Sequence, residues 1–183
     1  MIRCSWLTRQ MLLVSLSGLA LLLGDEEVSA QVVQAGATIG APGDSVFFNV
    51  SLATASKEIA GVEHEISFSP MAPIGTNANG APDCTGNPNV GGLGGLSVSS
   101  RFLPSGCSTN CTGIRAIVMP AGENLFSIPD GSTLYSCRVT IPPSTPNGTY
   151  PLSVTNPAAS DPSGVRLGVA GTAGHVRVTT GCF

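Results

Sequence analysis

The sequence predicts an all-β fold, two sheets packed as a sandwich. Three observations carry this: short β-branched and aromatic runs recur along the chain, Gly, Pro, Asn and Asp punctuate them, and no stretch has a helical period. Of 183 residues, 23 are Gly and 14 are Pro, while 42% are hydrophobic and only 10% are charged. That balance suits a turn-rich chain with enough apolar side chains to fill a core. One domain is the natural division at this length, and no internal repeat or linker splits it.

The first thirty residues are expected to be an export signal and to play no part in the fold. Arg3 and Arg9 give the positive start, Met11 to Leu23 is uncharged and apolar, and Val28-Ser29-Ala30 offers small residues for cleavage near Ala30. The apolar core is too short to span a bilayer comfortably, and no later segment is long and apolar enough to do so. The mature chain, residues 31–183, is therefore expected outside the cell with no membrane span. Removing residues 1–30 takes away two arginines and three acids, so the formal charge moves from −3 to −2. No basic stripe remains, which argues against a nucleic-acid partner.

The strands follow in order. Val32 to Ile39 is the first, Pro42-Gly43-Asp44 turns the chain, and Val46 to Leu52 is the second. The third, Ile59 to Phe68, alternates cleanly: Val62, His64, Ile66 and Phe68 share one face, and Gly61, Glu63, Glu65 and Ser67 share the other. Between residues 69 and 113 the periodicity gives way to a long Gly/Pro/Asn-rich loop in which only Leu96 to Leu103 has strand character. Ile114 to Met119 and Thr133 to Ile141 come next, the latter with Tyr135, Cys137, Val139 and Ile141 opposite Leu134, Ser136, Arg138 and Thr140. Asn147-Gly148 turns into Thr149 to Val154, and Val165 to Val169 and His175 to Thr179 close the series.

Cysteine usage agrees with an oxidising compartment. Cys4 leaves with the signal, and Cys84, Cys107, Cys111 and Cys137 are the candidates for disulfides. The favoured expectation pairs Cys84 with Cys107 or Cys111, because all three lie in the long loop, which otherwise lacks anything to hold it. Cys182, near the end, is left free or links chains. No set of cysteines and histidines has the spacing of a zinc site, and the turns at Asp130-Gly131 and Asp161-Pro162-Ser163-Gly164 lack the ligand pattern of a calcium loop. Neither a metal nor a cofactor is expected.

Catalysis finds no footing. In Glu63-His64-Glu65 the histidine points away from both acids, and the acids stand together on a flat surface instead of flanking a bond. No Gly-x-Ser-x-Gly elbow is present, and His175 is the second and last histidine. A non-enzymatic binding module is the expectation. Direct sugar binding would call for exposed aromatic faces, and the mature chain has no Trp and only Tyr135 and Tyr150 as tyrosines.

The order of several segments resembles the cohesin domain family. These are Gly40-Ala-Pro-Gly-Asp-Ser-Val46, Ile59-Ala-Gly-Val-Glu-His-Glu-Ile-Ser-Phe-Ser-Pro70, Ile128-Pro-Asp-Gly-Ser-Thr-Leu134, Asn147-Gly-Thr-Tyr-Pro-Leu152 and Gly174-His-Val-Arg-Val178. The likeness spans nearly all of residues 32–179. It implies a nine-stranded jelly-roll sandwich, related in fold to cellulose-binding modules, that docks calcium-loaded dockerin modules of polysaccharide-degrading enzymes on one flat sheet face. Carried over position by position, that face takes Gly61, Glu63, Glu65 and Ser67 from the third strand. Arg115, Ile117 and Met119, with Glu123 just beyond, would come from the fifth. The loop 69–113 is longer than the family usually carries. The expectation is a secreted module that binds a dockerin-type or other extracellular protein, in polysaccharide breakdown or surface assembly. The alternative is a carbohydrate-binding module that takes polysaccharide directly.

Overall fold

The computed structural model describes residues 30–91, 94–122 and 125–180. The expected signal at 1–29 and the two residues Glu123 and Cys182 lie outside them. Twelve strands and no helix make up the described residues. They are β1 (Val32–Ala35), β2 (Ala37–Gly40), β3 (Ser45–Ala53), β4 (Gly61–Ser67), β5 (Cys84–Gly86), β6 (Leu96–Leu103), β7 (Gly113–Pro120), β8 (Ser132–Thr140), β9 (Gly148–Ser160), β10 (Arg166–Leu167), β11 (Ala170–Thr172) and β12 (Gly174–Val178).

One sheet has the order β11-β1-β3-β8-β5 and the other β2-β12-β9-β4-β7-β6, with β10 along β9. The first expected strand is thus two. β1 pairs antiparallel with β3, the chain breaks at Gly36, and β2 crosses to the second sheet to pair in parallel with β12. Gly174 makes this crossing possible, since a Cβ there would overlap the carbonyl oxygens of Gly36 and Ala35. Only Arg166–Leu167 of the expected Val165 to Val169 strand forms, as β10, while β11 lies beyond that segment; with β5 and the break at Gly36, β11 raises the count from nine to twelve.

The core lies between the sheets. Phe48, Val50 and Leu52 of β3, Val62 and Ile66 of β4, Ile114, Ala116 and Val118 of β7, and Val139 of β8 are all buried there. Each larger side chain among them contributes roughly 1.5–3 kcal/mol by leaving water. One alternation reads differently from the sequence. Strict alternation sets Leu134 opposite Tyr135, yet both are fully buried. The pairing of β3 with β8 steps from Val50↔Tyr135 to Ser51↔Thr133, which leaves Leu134 as the extra residue of a bulge and turns two successive side chains inward.

The cysteine pairing also differs from the expectation. Cys84 bonds Cys137, and Cys107 bonds Cys111; neither long-loop partner reaches Cys84. The cause is that the loop holds a strand of its own. β5 lies against β8 with Cys84 directly opposite Cys137, and the Asp83 carboxylate takes a 2.6 Å bond from Nε of Arg138 beside them. The small bridge closes the connection between β6 and β7 instead.

Candidate functional site

On β4 the alternation of residue types fixes which groups face water. Val62, His64 and Ile66 are buried between the sheets, and Gly61, Glu63, Glu65 and Ser67 lie on the outer side, half-exposed or exposed. β7 runs antiparallel beside it, with Glu65 opposite Arg115 and Glu63 opposite Ile117. Met119 shares a shallow groove with Gly61. The structure therefore brings seven of the eight residues expected from the sequence onto one side of one sheet, Glu123 being outside the described residues.

The flanking strands supply residues that the sequence did not single out. On β9, Ala158 stands opposite Glu63 and Thr155 opposite Glu65. On β6, Ser97, Ser99 and Arg101 stand opposite Met119, Ile117 and Arg115. Arg166 of β10 joins Gly61, Ile117, Met119 and Ala158 around a groove of about 260 Å³. Only the finished register of four strands brings these together, so no local sequence signal marks them.

Three of the charges on this face are tied down by neighbours. Arg115 pairs with Glu63, diagonally across from its register partner. Glu65 instead accepts a 2.8 Å bond from the side-chain amide of Asn156. Asn156 sits where the β4–β9 register shifts, between Glu63 and Glu65, and its φ is 50°. Asparagine is among the few residues that take this left-handed conformation readily, which is the one sequence clue to its place. Beside these ionic groups, Ile117 and Met119 are 39% and 47% exposed, so the face alternates charge with aliphatic surface.

Directly beneath, His64 is fully buried. Its Nε2 lies 2.7 Å from the Tyr135 hydroxyl, a hydrogen bond from β4 to β8 across the sandwich, with the two rings stacked at 5.7 Å. Nδ1 has no partner. Burial lowers the His64 pKa to about 4, against a weaker upward pull from the Glu63 charge, and burial raises that of Tyr135. A neutral histidine sealed under the sheet supports the face instead of taking part in chemistry on it.

The carboxylates of both acidic turns are already engaged within the protein. Oδ1 of Asp161 accepts from the backbone and hydroxyl of Ser163 and from the backbone of Val165, at 2.9, 2.7 and 2.9 Å, which lowers its pKa. Asp130 accepts from the backbone N–H of Thr54 at 2.6 Å, with the same effect. Among the described residues no group of three or more His, Cys, Asp or Glu is placed to hold a metal ion, and no helix is long and apolar enough to cross a membrane.

No family model and no curated protein matches the sequence. Solved structures do match. The cohesin CaCohA2 of Clostridium acetobutylicum is similar at 17% identity and a TM-score of 0.62, over 84% of this chain and 93% of that one. A non-cellulosomal cohesin from the hyperthermophilic archaeon Archaeoglobus fulgidus is similar at 12% identity and a TM-score of 0.61, over 83% and 93%. The type I cohesin–dockerin complex Coh-OlpA–Doc918 of Clostridium thermocellum is similar at 14% identity and a TM-score of 0.62, over 82% and 100%. The chain thus has the fold of cohesin modules, a jelly-roll β-sandwich.

Proposed function

We propose that this cohesin-like domain is a non-enzymatic binding module, and that its partner, a dockerin-type protein module, docks on the outer face of β9, β4, β7 and β6. The observation that carries the reading is the composition of that face. It is a flat sheet surface on which Ile117, Met119 and Ala158 supply apolar contact, while Glu63, Glu65, Arg115 and Arg166 surround them. Apolar area ringed by charge is the anatomy of a protein interface, the ions steering encounter and the aliphatic groups supplying contact. The cohesin fold, seen in structures solved with dockerins bound, supports the choice of partner. In this reading residues 1–30 direct export, and the assembled pair acts outside the cell in polysaccharide breakdown or surface attachment.

Direct sugar binding has less support. Tyr135 is fully buried, and the Tyr150 hydroxyl is bonded to the Pro146 carbonyl at 2.8 Å. The face itself has no aromatic ring among its described residues, and stacking surface is what a pyranose needs.

Calorimetry against calcium-loaded dockerin modules from the same organism tests the proposal. One dockerin is expected to bind with one-to-one stoichiometry, and removing its calcium with EGTA should abolish the heat. Binding by none of them, with retention on a polysaccharide gel, would favour the carbohydrate reading instead.

A further inference from the structure

β6 forms one end of its sheet and pairs only with β7, in an unbroken register of eight residue pairs. The phase of its backbone follows from its two ends. Ala121 N–H donates to Gly95 C=O at 2.9 Å and Thr112 N–H donates to Leu103 C=O at 3.1 Å, so the odd-numbered residues face β7. Leu96 N–H, by contrast, donates away from β7 to Asn87 C=O at 2.8 Å. The N–H and C=O of Ser100 and Phe102 therefore point off the free edge, and no backbone partner meets them among the described residues. Gly86 approaches only the start of the strand, at Leu96 and Val98.

Native proteins usually blunt such an edge with proline, lysine, a bulge or a very short strand. Between Leu96 and Leu103 β6 has no proline, lysine or bulge, and Arg101 is its one charge. Two grooves meet along it instead. On the outer side, Ser99, Arg101, Arg115 and Ile117 line a space of about 300 Å³. On the other, Ala81, Phe102, Ser105 and Cys107 help to line one of about 240 Å³. Arg101 has no ion pair among the described residues, and neither groove contains an acid.

We propose that the free edge of β6 is a second binding site, which adds an extended acidic segment of another polypeptide as a further strand of the sheet. The backbone groups of Ser100 and Phe102 pair with the incoming main chain. Because side chains alternate along a strand, every second residue of the ligand enters the outer groove, where Arg101 favours a carboxylate, and those between enter the groove beside Phe102. A second copy of this chain fits less well, since two β6 edges would bring Arg101 and Arg115 of both copies together.

The test uses short synthetic peptides of alternating valine and glutamate, or valine and lysine, with amide exchange read by NMR. The glutamate peptide is expected to protect the Ser100 and Phe102 amides, and the lysine peptide to leave them exchanging. Ser100→Pro removes an N–H that faces away from β7, so it should leave the β6–β7 ladder intact and weaken the glutamate peptide at least about tenfold. Ser100→Ala should bind normally. Arg101→Glu should reverse the preference between peptides, which tests the site even if the proline variant fails to fold. Equal protection by both peptides, or full binding to Ser100→Pro, would overturn the proposal. So would self-association that Ser100→Pro abolishes, which would assign the edge to a second copy.

Discussion

Lowering the pH from 7 to 4 is expected to remove about 3 kcal/mol of folding stability through His64 alone. In the folded protein burial holds its pKa near 4, against 6.5 for the free side chain. An unfolded chain therefore takes up a proton below about pH 6.5 that the folded chain refuses until about pH 4, and each unit of that window costs about 1.4 kcal/mol. The loss accumulates as pH falls through the window and levels off below it. Asp130 and Asp161, whose folded pKa values are lowered, act in the same direction, but their loss begins only about one pH unit above their ordinary value of 3.8, so most of the fall above about pH 5 belongs to His64. Urea midpoints measured from pH 7 to pH 4 should fall steeply for the native protein and much less for His64→Gln. Parallel curves would show that the buried histidine charges in place. Because His64 lies on β4 between Glu63 and Glu65, this loss would strike the strand at the centre of the binding face.

Reversing both acids, Glu63→Lys with Glu65→Lys, is expected to weaken partner binding at least about 100-fold while changing stability by less than about 1 kcal/mol. Their side chains are half-exposed, and the ion pair of Glu63 with Arg115 joins side chains 35% and 39% exposed, where such pairs contribute little to folding. The effect on binding is of another order. Arg115 would lose its partner and stand with Arg101, Arg166 and two new lysines on one surface, so the negative charges that offset these arginines give way to positive ones and the face repels any partner group drawn to the acids. Calorimetry with a bound dockerin, alongside urea unfolding, separates the two effects. Thr85→Lys, exposed on β5 of the opposite sheet, should leave both unchanged.

The parts of this structure legible in the sequence are those decided locally. The alternation of β4 sorted Val62, His64 and Ile66 from Glu63 and Glu65 because each side chain's direction depends only on its neighbours along the strand. Where a partner strand decides, the sequence was silent or misleading. Leu134 turns inward because β3 and β8 slip by one residue, and nothing in Ser132–Thr140 marks that slip. Cys84 finds Cys137 because a three-residue strand, too short to show a period, pairs with β8 from 53 positions away. Similarly, β9 runs on to Ser160 past Pro157, which reads as a breaker but sits where the β4–β9 register shifts and no ladder donor is required of it. Asn156, Ala158 and Arg166 join the candidate face by the same non-local register, which is why sequence reasoning recovered β4 and β7 but not their neighbours.

In the proposed mode of binding a partner docks on the outer face of β9, β4, β7 and β6. Titrating isotope-labelled protein with a calcium-loaded dockerin, and following the backbone amides by NMR, checks where it sits. The largest shifts should fall at Glu63, Glu65, Ile117, Met119 and Ala158. Shifts gathered instead around Phe47 and Arg138 on the opposite sheet would contradict it.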